Sequence, residues 1–158
     1  MTTTPAPAPA DERDRWFLGT YLRLVASAAD TGGELAVMEQ RARKGFSPPL
    51  HVHHGEDTAL VVLEGVLTVS VGDEVRLVGP GEMAWLPRDV AHTFRVDSEE
   101  VRLLELVTPA GFERYHVDTS DPAAERAIPA PTEPDVARLL AGIAPYDAEI
   151  VGPPMAPA

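Results

Sequence analysis

The chain of 158 residues contains no cysteine, which excludes a disulfide framework and thiolate chemistry. No apolar run approaches the roughly 20 residues that a membrane helix requires, and the opening MTTTPAPAPADERDR lacks the basic and apolar regions of a signal peptide. Basic residues are also few, 13 against 25 acidic ones, for a net charge of −12. Because such a charge repels phosphate groups, we expect a cytoplasmic protein without nucleic-acid or membrane partners.

Proline is concentrated at the two ends of the chain. Three of the 16 prolines lie in the first nine residues and eight lie after residue 120. We therefore expect a disordered Pro/Ala-rich arm at residues 1–14, a β-domain at residues 15–120, and at residues 121–158 a linker and helix that pack on this domain. Thr132 is the expected N-cap of the helix and Pro134 lies in its first turn. An apolar stripe follows at helical spacing: Val136, Leu139, Leu140 and Ile143.

Short β-branched runs separated by turn residues fill the middle of the chain. Seven of these runs are predicted strands: ELAVMEQ, TALVVLEG, VLTVSV, EVRLV, EMAWL, HTFRV and VRLLELV. Within the segment RLVASAADTGGELAVMEQ, the turn Thr31-Gly32-Gly33 is predicted to join the first of them to a preceding strand. So many short strands in about 90 residues predict an all-β fold, an antiparallel sandwich or barrel, with one C-terminal helix.

Three of the five histidines occur together in the segment LHVHHGED. Residues i and i+2 of a strand point to the same face, so His51 and His53 project together, and two such imidazoles can bind one metal ion at about 2.0–2.1 Å. His54 points the other way. The pattern alone favours a pair of polar residues on an exposed strand, and its context has to decide. A fifth histidine, His116, follows Tyr115 on a predicted strand, where we expect it at the surface.

The residues around these histidines resemble the two motifs of the cupin superfamily. The first motif is Gly, five residues, His-x-His, three or four residues, Glu, six residues and Gly; here its positions hold Gly45, His51, His53, Thr58 and Gly65. The second is Gly, five residues, Pro-x-Gly, two residues, His, three residues and Asn; here its positions hold Gly81, Pro87, Asp89, His92 and Val96. The spacing agrees throughout, while Thr58, Asp89 and Val96 depart from the motif residues.

The resemblance covers residues 15–154 and is to single-domain cupins grouped with quercetin-dioxygenase-like proteins of actinobacteria. It implies a double-stranded β-barrel of the jelly-roll type. It also implies a divalent transition metal (Fe, Ni, Mn, Co or Zn) bound by three histidines and one glutamate, and the matching histidines here are His51, His53 and His92. Such proteins are commonly homodimers that exchange or pair N-terminal strands. The fold alone does not determine the reaction.

Thr58 stands where the motif has its metal-binding glutamate. Strand alternation back from Leu60 places Thr58 inward and Asp57 outward, while Glu56 lies in the preceding turn. Glu56 or Asp57 as a substitute ligand remains an alternative, and absence of the carboxylate is favoured. A threonine hydroxyl would hydrogen-bond a metal-bound water, so Thr58 is a catalytic candidate. The change is also consistent with a pocket that has lost its metal.

Glu105 interrupts the apolar run VRLLELV. If the leucines on either side of it face the outer packing layer, Glu105 faces the pocket. A carboxylate in an apolar cavity has a raised pKa and can act as an acid or a base, so Glu105 is the second catalytic candidate. The alternative is an outward Glu105 paired with Arg102 or Arg114.

Three hypotheses about function remain open. The first is a metal-dependent dioxygenase acting on a small aromatic or enolisable substrate, flavonol- or polyketide-like, bound as its anion at the three histidines. The second is a non-redox cyclase or isomerase of a natural-product intermediate, with or without metal, in which Glu105 or His92 is the acid or base. The third is a cupin that binds a small molecule without chemistry.

The strand TALVVLEG is apolar on both faces. Its outward residues Ala59, Val61 and Leu63 therefore need cover. We expect the N-terminal strands of a second copy to provide it, which predicts a homodimer.

Overall fold

The computed structural model describes residues 9–158, which form two β-sheets and three short helices. The strands are β1 (Asp14–Phe17), β2 (Thr20–Ala26), β3 (Ala36–Arg43), β4 (Leu50–His53), β5 (Asp57–Glu64), β6 (Leu67–Val71), β7 (Glu74–Val78), β8 (Met83–Leu86), β9 (His92–Val96), β10 (Glu100–Thr108), β11 (Asp121–Pro122) and β12 (Ala148–Gly152). The helices are α1 (Ala28–Thr31), α2 (Glu113–Asp118) and α3 (Val136–Ile143). No described helix is long and apolar enough to cross a membrane.

Both sheets are antiparallel, as predicted for this all-β fold. The seven-stranded sheet has the order β11-β1-β2-β3-β10-β5-β8, and the five-stranded sheet has the order β12-β4-β9-β6-β7. Together they make a jelly-roll-like sandwich. The runs EVRLV and HTFRV coincide with β7 and β9, and the two-residue turn Gly72-Asp73 joins β6 to β7. The prediction of fold class is confirmed.

Two groups of buried apolar side chains fill the space inside the sandwich. The first lies mainly between β5, β6, β8, β9 and β10: Ala42, Leu60, Val62, Leu67, Val69, Val78, Ala84, Leu86, Phe94, Val96, Val101 and Leu103. The second joins the N-terminal strands to the helices: Phe17, Leu22, Ala36, Met38, Val107, Phe112, Tyr115 and Leu139. The helices are therefore part of the core and not a loose appendage.

The connection between β2 and β3 contains a helix where a tight turn was predicted. At the start of α1, Asp30 accepts hydrogen bonds from the backbone N–H and the hydroxyl of Ser27. Gly32, with φ of 66°, ends the helix in the left-handed conformation. Ser27 and Asp30 satisfy polar backbone groups at the start of α1, which allows a short helix to form there. The predicted turn residues lie at the end of this helix.

The C-terminal segment differs from the prediction at two points. Asp135, whose side chain accepts from the Arg138 N–H at 3.0 Å, is the N-cap of α3. The helix therefore starts later than predicted, and the assignment of Thr132 as N-cap and Pro134 in the first turn is wrong. After α3 the chain adds β12, a strand that the sequence analysis does not predict, and β12 pairs with β4. This pairing brings the end of the chain beside the His51–His53 strand.

The expected arm, residues 1–14, lies mostly outside the described residues. Its last residue, Asp14, begins β1 and has a fully buried side chain. Its carboxylate is hydrogen-bonded to Tyr21, Arg23 and Arg126. The ordered fold therefore begins slightly before residue 15.

Candidate metal centre

The two sheet-forming segments that carry the motif histidines meet at a single point. His51 and His53 lie on β4, His92 is the first residue of β9, and His51 is the direct partner of His92 between these strands. The ring centres are 5.0 Å apart for His51 and His53, 4.5 Å for His51 and His92, and 5.3 Å for His53 and His92. Potential ligand nitrogens of the three lie within 4.8 Å of one another. The predicted clustering is confirmed.

A hydrogen bond at Nδ1 orients each of the three imidazole rings. Nδ1 of His51 is 2.6 Å from the Pro49 carbonyl oxygen, and Nδ1 of His92 is 3.0 Å from the Val90 carbonyl oxygen. Because a carbonyl only accepts, both Nδ1 atoms carry the proton and donate it. Each ring is thereby left with an unprotonated Nε2, the atom with which a histidine binds a metal.

His53 is oriented by a carboxylate instead of a carbonyl. Its Nδ1 is 2.6 Å from Oε1 of Glu56, which lies in the turn after β4. A carboxylate on the far nitrogen fixes the ring and increases the basicity of the nitrogen that binds the metal. Glu56 thus supports a ligand, and its carboxylate is not part of the histidine cluster.

Burial keeps two histidines of the cluster, His51 and His92, uncharged. It lowers the pKa of His51 to about 4 and that of His92 to about 3. Neutral imidazoles are the form that binds metal, so these two rings need not lose a proton near pH 7. Three converging and oriented imidazoles are a donor set that fits a divalent transition metal.

The other two polar residues after β4 face away from the cluster. Asp57 forms an ion pair with Arg88, with 3.0 Å between Oδ2 and Nη2, and this partner holds the pKa of Asp57 below its usual value. His54 is hydrogen-bonded through Nδ1 to Asp89 at 2.6 Å. The outward orientation that alternation predicts for Asp57 agrees with its contact to Arg88.

Thr58 is buried, with 3% of its surface exposed, between Leu86 of β8 and Val107 of β10. It does not line the cavity next to the histidines; on this strand Leu60 does. No observation on the described residues tests the catalytic role predicted for Thr58, which stays a prediction.

Glu105 lines the same cavity, as the inward interpretation of its strand predicts. It lies on β10 between Met38 of β3 and Leu60 of β5. Among residues 9–158 its carboxylate has no hydrogen bond or ion pair, and its accessible surface faces the cavity. Burial in this apolar setting raises the pKa of Glu105 to about 7. The alternative of an outward pair with Arg102 is wrong, since Arg102 bonds Glu39.

The walls of the cavity come partly from the helices, which the sequence analysis placed outside the site. The cavity measures about 80 Å³, several times the roughly 10–15 Å³ that one water occupies. From α2 and its N-cap it is lined by Phe112, Tyr115 and His116, and from α3 by Leu139 and Ile143. The ring of Phe112 is 4.2 Å from that of His53. The helices therefore close the cavity over the histidine cluster.

His116 is the clearest error of the sequence analysis. It lies on the helix α2 and not on a strand, and only 8% of its surface is exposed. The signal was present in the sequence: Phe112, Tyr115 and His116 are spaced i, i+3 and i+4, which places them on one face of a helix. A run of six helical residues is short, and single-sequence patterns of this length are ambiguous.

The turn that leads into His92 contains Asp89, which stands where the second motif has Gly. The backbone conformation explains why Asp is accepted at this position. Asp89 has φ of 68°, a left-handed conformation that suits Gly and that Asp and Asn tolerate better than most residues. Its N–H donates to the His53 carbonyl at 2.7 Å. The turn thus ties His92 to β4 with Asp in the place of Gly.

Comparison with known proteins agrees with this geometry. The Cupin domain family matches residues 38–107. This match covers somewhat less than half of the chain. The chain is 28% identical over 154 residues to quercetin 2,3-dioxygenase of Bacillus subtilis (strain 168), covering 94% of this chain and 45% of that protein. It is 34% identical over 56 residues to uncharacterized protein SCO3923 of Streptomyces coelicolor, covering 35% of this chain and 53% of that protein. The chain thus spans about half the length of these two relatives.

Solved structures show the same fold. KdgF from Halomonas sp. superposes with a TM-score of 0.59 at 20% identity, covering 69% of this chain and 99% of that chain. A variant of the oxalate decarboxylase of Bacillus subtilis superposes with a TM-score of 0.57 at 19% identity, covering 73% of this chain and 33% of that chain. At these identities the similarity establishes the cupin fold alone.

Proposed function

We propose that this protein is a metal-dependent enzyme of the cupin type, a dioxygenase for a small aromatic or enolisable substrate bound as its anion. The observation that carries the proposal is the set of three imidazoles, His51, His53 and His92, each anchored through Nδ1 at the wall of an apolar cavity. The similarity to a relative named quercetin 2,3-dioxygenase over most of the chain supports this reaction class.

The charge of the proposed centre favours an anionic substrate. The three imidazoles bring no charge, and Thr58 is neutral where the cupin motif has a glutamate. A divalent ion held by these residues would therefore keep its full charge of +2 and would supply Lewis acidity for enolate or phenolate oxygens. The apolar and aromatic lining would exclude water and pack against the body of the substrate.

Glu105 is the residue we propose as acid or base. Its carboxylate faces the cavity without a partner among the described residues, and its pKa of about 7 allows it to hold or release a proton near neutral pH. In this role it takes the proton from a substrate hydroxyl and so generates the anion that the three-histidine site binds. Thr58 does not line the cavity, so the proposal gives it no direct contact with the substrate.

Metal content and oxygen consumption test the proposal. Protein purified without chelator should contain close to one transition-metal ion per chain, and it should consume oxygen with phenolic or enolisable compounds. His51→Ala should lose the metal. His54→Ala is the matched control, because His54 is the adjacent histidine and points away from the cluster, and this variant should retain the metal. If both variants retained the metal, the proposed centre would be contradicted.

A non-redox cyclase or isomerase is the second candidate, and the free carboxylate of Glu105 is the observation that favours it. In that case substrate would be consumed without oxygen uptake, and Glu105→Gln would abolish turnover while leaving the metal content unchanged. If the chelated wild type kept full activity, this candidate would replace the dioxygenase. A cupin that only binds its ligand would show binding without turnover, in the wild type and in Glu105→Gln alike.

A further inference from the structure

His116 is a buried polar residue in the cavity wall that the proposed chemistry does not use. Its Nδ1 is inaccessible to water and has no hydrogen-bond partner of acceptable geometry among residues 9–158. No other buried side-chain nitrogen or oxygen of the described residues is left in this state. Buried polar atoms of native proteins are nearly always hydrogen-bonded, so such an exception calls for an explanation.

Packing holds the His116 ring at a defined place in the cavity. Its centre is 4.9 Å from the ring of Phe17, 5.4 Å from Tyr115 and 5.5 Å from Phe112. Burial lowers the pKa of His116 to about 3, and only the Phe112 carbonyl, one helical turn earlier, acts on the ring in the opposite direction. The ring is therefore a neutral group that can donate or accept one hydrogen bond through each nitrogen. A half-turn of the ring exchanges which nitrogen faces the cavity.

The position of His116 relative to the histidine cluster defines what it could contact. Phe112 touches both His53, at 4.2 Å between ring centres, and His116, at 5.5 Å. Because Phe112 contacts both rings, the ring centre of His116 lies less than about 10 Å from that of His53, and both residues line the same mostly apolar cavity. A flat ligand held at the cluster by its oxygens would present its opposite edge to His116.

We propose that His116 is a specificity-determining residue that hydrogen-bonds a second polar group on the substrate, one ring away from the oxygens bound at the histidine cluster. The substrate class is accordingly a hydroxylated planar ring with oxygen functions at opposite edges. This inference rests on the proposed metal centre for the position of the first edge. It requires no particular reaction at that centre.

Two matched pyrones test the inference by binding. Kojic acid has adjacent carbonyl and enol oxygens and, across the ring, a hydroxymethyl group; allomaltol has a methyl group there and is otherwise the same. Calorimetry on zinc-loaded protein should show that the wild type binds kojic acid roughly threefold to tenfold more tightly than allomaltol, the range for one added neutral hydrogen bond. His116→Phe should remove this preference and leave allomaltol affinity nearly unchanged.

Two further variants separate His116 from its surroundings. His116→Gln, which keeps a hydrogen-bonding group, should retain part of the preference, and thermal unfolding should show that each variant is folded. Tyr115→Phe removes the neighbouring hydroxyl and should leave the preference intact. If Tyr115→Phe abolishes the preference and His116→Phe does not, or if the wild type binds neither pyrone or both equally, the inference is wrong.

The same experiment distinguishes a failure of the proposed function. If zinc increases the affinity for neither pyrone, the proposed metal centre is contradicted. The preference measured in metal-free wild type and metal-free His116→Phe then decides separately on the role of His116.

Discussion

Two residues of the segment after β4, Glu56 and Thr58, determine the charge around the histidine cluster in opposite ways. Glu56 places a carboxylate on the far nitrogen of His53, whereas Thr58 is a neutral and buried residue on the inner side of β5. The carboxylate of Glu56 therefore orients the His53 ring, and Thr58 offers no carboxylate that could bind the metal directly. Substitutions at these two positions should change metal affinity in opposite directions.

At position 58, the substitution Thr58→Glu should raise metal affinity by at least 10-fold, comparable to the roughly 10–100-fold that residues supporting a ligand produce. The metal-free variant should unfold at a lower temperature, because a carboxylate is buried there without a partner. Activity should fall, since the added charge competes with an anionic substrate. Thr58→Gln is the control of matched size and should leave metal affinity unchanged in competition with a chelating dye; an equal increase for both variants would rule out the electrostatic explanation.

At position 56, the substitution Glu56→Ala should weaken metal binding roughly 10–100-fold, because the His53 ring loses its orienting carboxylate. Glu56→Gln keeps an oxygen within reach of Nδ1 and should lose less. Metal competition measured at pH 7 checks both variants. Equal affinity for wild type and Glu56→Ala would mean that the packing of Phe112 alone is enough to orient His53.

Among the elements, β1 combines its pairing with β2 and β11 with one buried carboxylate, that of Asp14. Asp14 accepts from the Tyr21 hydroxyl at 2.6 Å, from Arg23 at 2.8 Å and from Arg126 at 3.0 Å. It therefore links β1 to β2 and to the segment before α3. Burial alone would raise the pKa of Asp14, but these hydrogen bonds outweigh it and hold the pKa well below the usual 3.8. Since β1 carries Phe17 to the cavity wall, this link also supports the site.

Removal of this carboxylate by Asp14→Ala should lower the free energy of unfolding by roughly 2 kcal/mol, because the Tyr21 hydroxyl loses its acceptor and the partly exposed Arg23 and Arg126 keep only Asp11 as a counter-charge. Tyr21→Phe should cost about 1 kcal/mol, the usual value of one hydrogen bond. The folded pKa is the lower one, so the stabilisation is present above the unfolded value near 4 and is lost as pH falls further. Urea unfolding at pH 7 and pH 3 measures this: the difference between wild type and Asp14→Ala should be smaller at pH 3 but not abolished, because the folded pKa lies lower still. A difference as large at pH 3 as at pH 7 would contradict it.

At the scale of the whole molecule, the outer side of the edge strand β8 is apolar and open. Trp85 and Met83 on the edge strand β8 are 47% and 49% exposed, and on the same face they adjoin Ala59 and Val61 of β5. Nothing among residues 9–158 covers Trp85 and Met83, because β1 and β2 extend the sheet at its other end. Neighbouring exposed apolar side chains at the edge of a sheet favour association.

We propose that a second copy of the chain covers this face, making a homodimer. Light scattering of the wild type at micromolar concentration should give about twice the mass of 17.0 kDa, and Trp85→Lys should shift it towards the monomer. Leu77→Lys is the matched control, because Leu77 is equally apolar and 65% exposed but lies on the five-stranded sheet. A monomeric wild type, or dissociation only in Leu77→Lys, would refute this interface.

The sequence by itself determined the features that depend on local periodicity. Strand alternation requires only neighbouring residues, so it predicts β7 and β9 and the common face of His51 and His53. It left the side of Glu105 open between the cavity and an outward ion pair. The positive φ of Gly65, 89°, is a local reason for glycine at this turn, whereas the collision of a side chain there with the Glu100 carbonyl is a contact that only the tertiary structure shows. The spacing of the two motifs identified His92 as the third histidine of the cluster, because it matches the spacing of the metal-binding histidines in cupins.

The tertiary structure alone decided what meets across the sandwich. His116 was predicted at the surface because the sequence does not show that α2 folds back over the open end of the sheets. β12 was missed because a five-residue strand becomes stable only through its pairing with β4. The partners of Glu56 and Asp57 could not be deduced either, because a turn can direct a carboxylate to either side. Contacts between distant segments depend on how the sheets and helices pack, and no local pattern encodes that packing.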